Sequence, residues 1–186
     1  HRDLHSFPTR RSSDLRIGDR YGIDGVWIDG DCWAVSQDYS KKVLELFREK
    51  PGITSQPRKP EDPYFFEFTE FCRQGFRDYL QHYVDELHRH NPELQICSNW
   101  AYSSFMPEPV STDVDFLSGD YPMANCVNMA RLEARCLALQ GKCWDLMAWS
   151  FISRWNDELG CFSTKSAVQL KQEASIVLAL GGGIQF

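Results

Sequence analysis

From residue 16 onward, short apolar runs alternate along the chain with longer amphipathic stretches. The run DGVWID (24–29) is almost continuously apolar between its two Asp, as a strand buried on both faces is. DYSKKVLELFREK (38–50) predicts a short helix with Asp38 or Ser40 as its N-cap. Four prolines in the thirteen residues of PGITSQPRKPEDP (51–63) make an extended loop. At its end, Asp62-Pro63 reads as an N-cap with proline at the first helical position. The helix so opened runs to about Arg89, with Phe65, Phe68, Phe71, Phe76, Leu80, Val84 and Leu87 on its apolar face. Asn91-Pro92 ends it.

Two strands follow, LQICSNW (94–100) and VDFLSGD (114–120). A helix over about 126–140 carries Met129, Leu132, Cys136 and Leu139 on its apolar stripe. A fourth strand lies in CWDLMAWSF (143–151), a helix in 165–180, and GGGIQF opens a fifth strand. Strands alternating with helices imply an α/β fold with a parallel sheet and crossover helices. The GGG at 181–183 precedes a strand instead of opening a helix, so the dinucleotide-binding fingerprint is absent. A partial (β/α)8 TIM barrel is therefore expected in preference to a doubly wound nucleotide-binding sheet.

Residues 1–15, HRDLHSFPTRRSSDL, do not fit this pattern. Their first four match the catalytic-loop signature of protein kinases, but Pro8 stands where that loop needs its metal-binding Asn, and no DFG or APE follows. The whole stretch instead resembles the conceptual translation of a sequencing adaptor, and is set aside as a non-native segment. Residues 16–186 then form the domain. GGGIQF stops in mid-strand, and both ends read as truncations, which leaves location open; a periplasmic or secreted site is the working expectation.

Composition removes several classes. The net charge is −6 and no basic cluster is present, a poor match to phosphate contacts, so nucleic acid is not an expected partner. Apolar runs such as IVLAL are too short to span a bilayer, so no membrane is expected either. The seven Cys are odd in number and lack C-x-x-C spacing, and most fall inside expected strands and helices, where they read as buried thiols rather than zinc or redox ligands. No His cluster of metal-ligand type occurs, so neither metal nor cofactor is called for.

The chemistry of a barrel sits at the C-terminal ends of its strands. Those ends carry Asp29 and Asp31 after the first strand, Asn99 and Trp100 after the second, Asp120 on the third, and Trp149 with Ser150 on the fourth. Trp33, Tyr102 and Glu108 stand on the adjoining loops, and Asp24, Asp115 and Asp145, at the start or middle of strands, are assigned to the bottom face or the core. Two carboxylates among aromatics suit glycoside hydrolysis: one attacks the anomeric carbon and the other protonates the leaving oxygen. Asp29 and Asp120 are the catalytic candidates. Asp31, Trp33, Asn99, Trp100, Tyr102, Glu108 and Trp149 are the candidates for holding a carbohydrate substrate.

These residues also carry a resemblance. YGIDGVWIDGDCW is similar to the fourth-strand region of the α-L-fucosidases, in which a hydrophobic strand ends in W-x-D-G. DFLSGDYP, ARLEAR, WDLMAWSF and QEASIVLALGGG resemble a group of bacterial fucosidase-like barrels. The resemblance implies a retaining hydrolase of α-linked sugars, with Asp29 as nucleophile at the end of strand four and the remaining strands numbered up to eight. By the similar plan of the α-galactosidase clan, Asp120 at the sixth strand would be the general acid/base. The fucosidase acid/base is usually Glu, which keeps Glu108 as its alternative. Two other readings remain, a carbohydrate-binding barrel without turnover and a metal-dependent barrel enzyme.

Overall fold

The computed structural model describes residues 22–30, 35–100, 106–153 and 162–186. Asp31, Trp33 and Tyr102 lie outside the described residues. The elements, in chain order, are β1 (Gly25–Ile28), α1 (Lys41–Arg48), α2 (Phe65–His90), β2 (Gln95–Asn99), β3 (Phe116–Asp120), α3 (Cys126–Ala138), β4 (Cys143–Met147), β5 (Phe151–Ser153), β6 (Phe162–Thr164), α4 (Ala167–Ala179) and β7 (Gly183–Gln185).

Five strands form one sheet in the order β1-β2-β3-β4-β7, every neighbouring pair parallel. Spatial order follows chain order throughout, so each connection advances by one place in the same direction. Side chains alternate between the two faces of such a sheet. Ile96, Leu117, Trp144 and Leu146 point to one face and join Phe76, Leu80 and Val84 of α2, Ala130, Ala134 and Leu137 of α3, and Val177 of α4 in the main core. The opposite positions read Trp27, Cys97, Asn99, Phe116, Ser118, Asp120, Asp145 and Gln185, and on that face Trp27 remains 39% exposed. The sheet has an oily side under helices and a polar side.

A second cluster fastens α1 to the start of α2: Leu44 and Phe47 pack on Phe68 and Cys72, with the Phe47 and Phe68 rings 5.0 Å apart. Ser40 caps α1, its hydroxyl accepting from the Val43 amide. Asp38 instead accepts from the Ser40 amide at 2.8 Å, bracing the residue that caps. The apolar face expected of α2 is the one buried, with Phe68, Phe76, Leu80, Val84 and Leu87 all inside.

Three expectations are corrected. Asp62 does not cap α2: its carboxylate accepts from the Arg58 and Lys59 amides, stabilising the preceding loop, and the cap position is Tyr64 at φ 65°. The stripe on α3 is rotated from the one read in the sequence. Ala130, Glu133, Ala134 and Leu137 face inward, while Leu132 and Leu139 are 48% and 87% exposed. Small Ala side chains let α3 close on the sheet and α4, and that proximity outweighs burial of the two leucines. Finally, the segment 143–151 is not one strand: β4 stops at Met147, and β5 pairs antiparallel with β6 in a separate two-stranded sheet.

Cys72, Cys97 and Cys126 are buried thiols, Cys136 is half-buried, and Cys143 is exposed. Among the described residues, no helix is long and apolar enough to cross a membrane.

Candidate functional site

The polar side of the sheet gathers its chemistry at the strand ends. Trp27 is in register with Cys97, so Asp29, two residues further on, stands beside Asn99. Gly30 follows at φ 70°, a left-handed conformation that glycine takes without strain, and the chain turns off the sheet there. The Asn99 amide nitrogen donates to Asp29 Oδ1 at 3.2 Å. Asn99 itself is buried, in register with Ser118 on β3, and Asp120 ends that strand.

Asp120 is only 9% exposed. The Asn99 side chain hydrogen-bonds it as well, but Oδ1 is buried without a partner. Burial first, and then the charge of Asp29, push its carboxyl up to about 6, with the Asn99 hydrogen bond working the other way. One amide thus bridges two carboxylates in different surroundings. Asp29 faces solvent, and Asp120 keeps a proton into the mildly acidic range. That division suits a pair in which one group attacks or stabilises charge while the other gives and takes a proton.

The other sequence candidates divide. Trp100 is not on the polar side: it is 2% exposed and packs against Phe76 of α2, with ring centroids 5.5 Å apart, so it belongs to the core rather than to a sugar-stacking platform. Its backbone nitrogen donates to Ser118 O at 3.0 Å, which ties the ends of β2 and β3 together. Glu108 is held by Arg77 of α2, Nη1 to Oε1 2.6 Å. Trp149 lies beyond the end of β4, half-buried and edge-on to Phe151 at 5.4 Å. The Nε1 atoms of Trp100 and Trp149 are both buried without a partner. Asp115 serves the bottom of the sheet as expected, accepting from the Ile96 amide at 2.7 Å and contacting His88 Nε2 at 3.1 Å.

Asp145 was assigned to the bottom face or core, and the sheet places it elsewhere. Its partner in register is Ser118, which puts it on the polar side with Asn99 and Asp120. Gln185 Nε2 donates to Asp145 Oδ2 at 2.7 Å and to Ser118 Oγ at 3.3 Å. Parity within β4 puts Asp145 on the same side as Met147, but only the register of Met147 with Asp120 shows that this is the polar side. Among the described residues, no three His, Cys, Asp or Glu are grouped to hold a metal ion. Comparison with family models, with curated proteins and with solved structures finds no match to the chain.

Proposed function

We propose that the chain is strands four to eight of a (β/α)8 barrel whose mouth hydrolyses α-linked glycosides with retention, Asp29 acting as nucleophile and Asp120 as general acid/base. The barrel reading is supported by strand order: five parallel strands added one after another, with helices on one face, build toward closure, whereas a doubly wound sheet reverses direction. In that numbering β1 is the fourth strand and β7 the eighth.

The observation that carries the catalytic reading is the Asn99 bridge. A carboxamide nitrogen is the only donor on Asn, and its two N–H bonds diverge by about 120°. Two carboxylates sharing such a donor at ordinary distances would have their accepting oxygens roughly 5 Å apart, which is the spacing this reading expects of Asp29 and Asp120. Retaining glycosidases hold their carboxyl pair about 5–5.5 Å apart, and inverting ones about 6.5–9.5 Å. The raised Asp120 carboxyl supports its role as the proton donor. The ion pair of Glu108 with Arg77 weighs against Glu108 in that role. Substrate would lie across Asp29 and Asp120, with Asn99 holding their spacing. Asp120 protonates the departing oxygen as Asp29 bonds the anomeric carbon, then deprotonates the water that releases the sugar.

The test is a set of aryl glycosides offered to the full-length protein, beginning with 4-nitrophenyl α-L-fucopyranoside. Asp29→Asn is expected to abolish turnover while free-sugar binding persists. kcat/KM of the parent should fall as pH rises through about 6, because the acid loses its proton there. Asp120→Asn should remove that falling limb and slow substrates with poor leaving groups by about 10²–10⁴-fold, and activated aryl glycosides much less. Sugar binding without turnover in the parent would favour the carbohydrate-binding barrel instead.

A further inference from the structure

Beside the bridged pair, the polar side of the sheet carries a third carboxylate that the proposed reaction does not use. Asp145 is in register with Ser118, and Asp120 with Met147 two residues further along β4, so Asp145 and Asp120 are diagonal neighbours on adjacent strands. Such a pair has its Cα atoms roughly 8 Å apart, close enough to flank one small ring.

Four observations show a prepared position rather than a chance acid. Gln185 fixes one oxygen of Asp145 and reaches Ser118 with the same nitrogen, so the donor that orients the carboxylate is itself held on β3. The other oxygen, Oδ1, is screened from water and has no partner among the described residues. Asp145 as a whole keeps partial exposure on the polar side. On the neighbouring strand stands Gly183, in register with Asp145, where an added Cβ would lie 3.0 Å from the Asp145 Cβ. The position next to the acid is left without a side chain. Independently, Asp120 on the same face is nine-tenths buried and also has an oxygen, Oδ1, with no partner. Buried acceptors without partners are unfavourable, so two on one face point to a ligand that brings donors.

We infer that Asp145, oriented by Gln185, is a substrate-binding carboxylate that accepts a hydrogen bond from one ring hydroxyl of a sugar whose anomeric carbon is at Asp29 and Asp120. The assignment rests on the glycosidase reading for its substrate class. It makes Asp145 a specificity residue: a site built to bond a hydroxyl rejects the analogue lacking it. Asp145 forms no bond to the reacting carbon and transfers no proton.

The experiment is a cycle between residue and substrate. The parent, Asp145→Asn and Gln185→Leu forms of the full-length protein are assayed on an aryl glycoside that the parent cleaves and on its monodeoxy analogues. Calorimetry with the corresponding free sugar runs in parallel. In the parent, removing one particular hydroxyl should lower kcat/KM by about 10–100-fold, the range of a hydrogen bond to a charged group. In Asp145→Asn that penalty should shrink to a few-fold at the same hydroxyl and persist at the others, with Gln185→Leu showing the same pattern more weakly. If Asp29-dependent cleavage occurs and every deoxy penalty survives in both variants, the Asp145 assignment is overturned and the glycosidase reading stands. If the parent cleaves nothing but binds free sugar, and Asp145→Asn abolishes that binding, the hydroxyl site stands and the hydrolase reading falls. Neither cleavage nor binding by the parent overturns both.

Discussion

Among single residues, Asp120 is the one whose chemistry burial changes most toward proton transfer. Its carboxyl titrates at about 6, above its value of 3.8 in a model peptide, so the native state holds the proton more tightly than the unfolded chain. The stability this confers is fully present below the unfolded value and is lost as pH rises through about 6. Asp120→Asn carries no charge to lose. At pH 8 it should be more stable than the parent by on the order of 2 kcal/mol, a few degrees in Tm, and at pH 4 the two should melt together. Calorimetric melts at both pH values check this, and equal melting at pH 8 would remove the buried charge from the argument. Asp29 and Asp120 were legible in the sequence because polar residues at the ends of apolar strands stand out. Asp145 was not, because its face is decided by register with Ser118, and register depends on neighbouring strands. Trp100 was misread for a related reason: its side turns on where β2 stops.

At the scale of elements, the tightest constraints lie where glycine admits a neighbour. A Cβ on Gly182 would overlap the indole of Trp144, which is buried in the core between the sheet and α4. Gly182→Ala should therefore destabilise by about 1–3 kcal/mol through overpacking, read as a lower urea midpoint, while Ala at Gly75, where nothing lies within 4 Å, should not. An unchanged midpoint in Gly182→Ala would mean that the β7 approach to Trp144 is looser than drawn. Helix α2 was legible almost whole, because its aromatic and aliphatic positions recur at helical spacing over 26 residues. Helix α3 was not: its buried side is built on Ala130 and Ala134, which carry weak hydrophobic signal, and the larger Leu132 and Leu139 pulled the reading away. The β5–β6 pair escaped notice because Trp149 and Phe151 prolong the apolar run of β4 past its end.

At the scale of the molecule, the alternation of strand and helix was enough to give a parallel α/β sheet. It did not give the order of strands, which only the pairing of backbones reveals. Among the described residues, the sheet ends at β1 and β7, and Trp27 on its polar side and Phe186 just beyond β7 are exposed. Strand edges and exposed aromatics of this kind favour association. The 186-residue chain on its own is accordingly expected to partition into the insoluble fraction or to elute as aggregates in size-exclusion chromatography. A monomeric peak with one cooperative melting transition would contradict that.

In the proposed reaction Asp29 bonds the sugar. An activated 2-deoxy-2-fluoroglycoside of the cleaved sugar slows the release step and lets the covalent intermediate accumulate, so the measurement is peptide mass mapping of the full-length protein after that treatment. One fluoroglycosyl group is expected, on the peptide carrying Asp29 and absent from the Asp29→Asn form. A protein that turns over the parent glycoside yet remains unlabelled, or is labelled at Asp120, Asp145 or Glu108 instead, would contradict that role for Asp29.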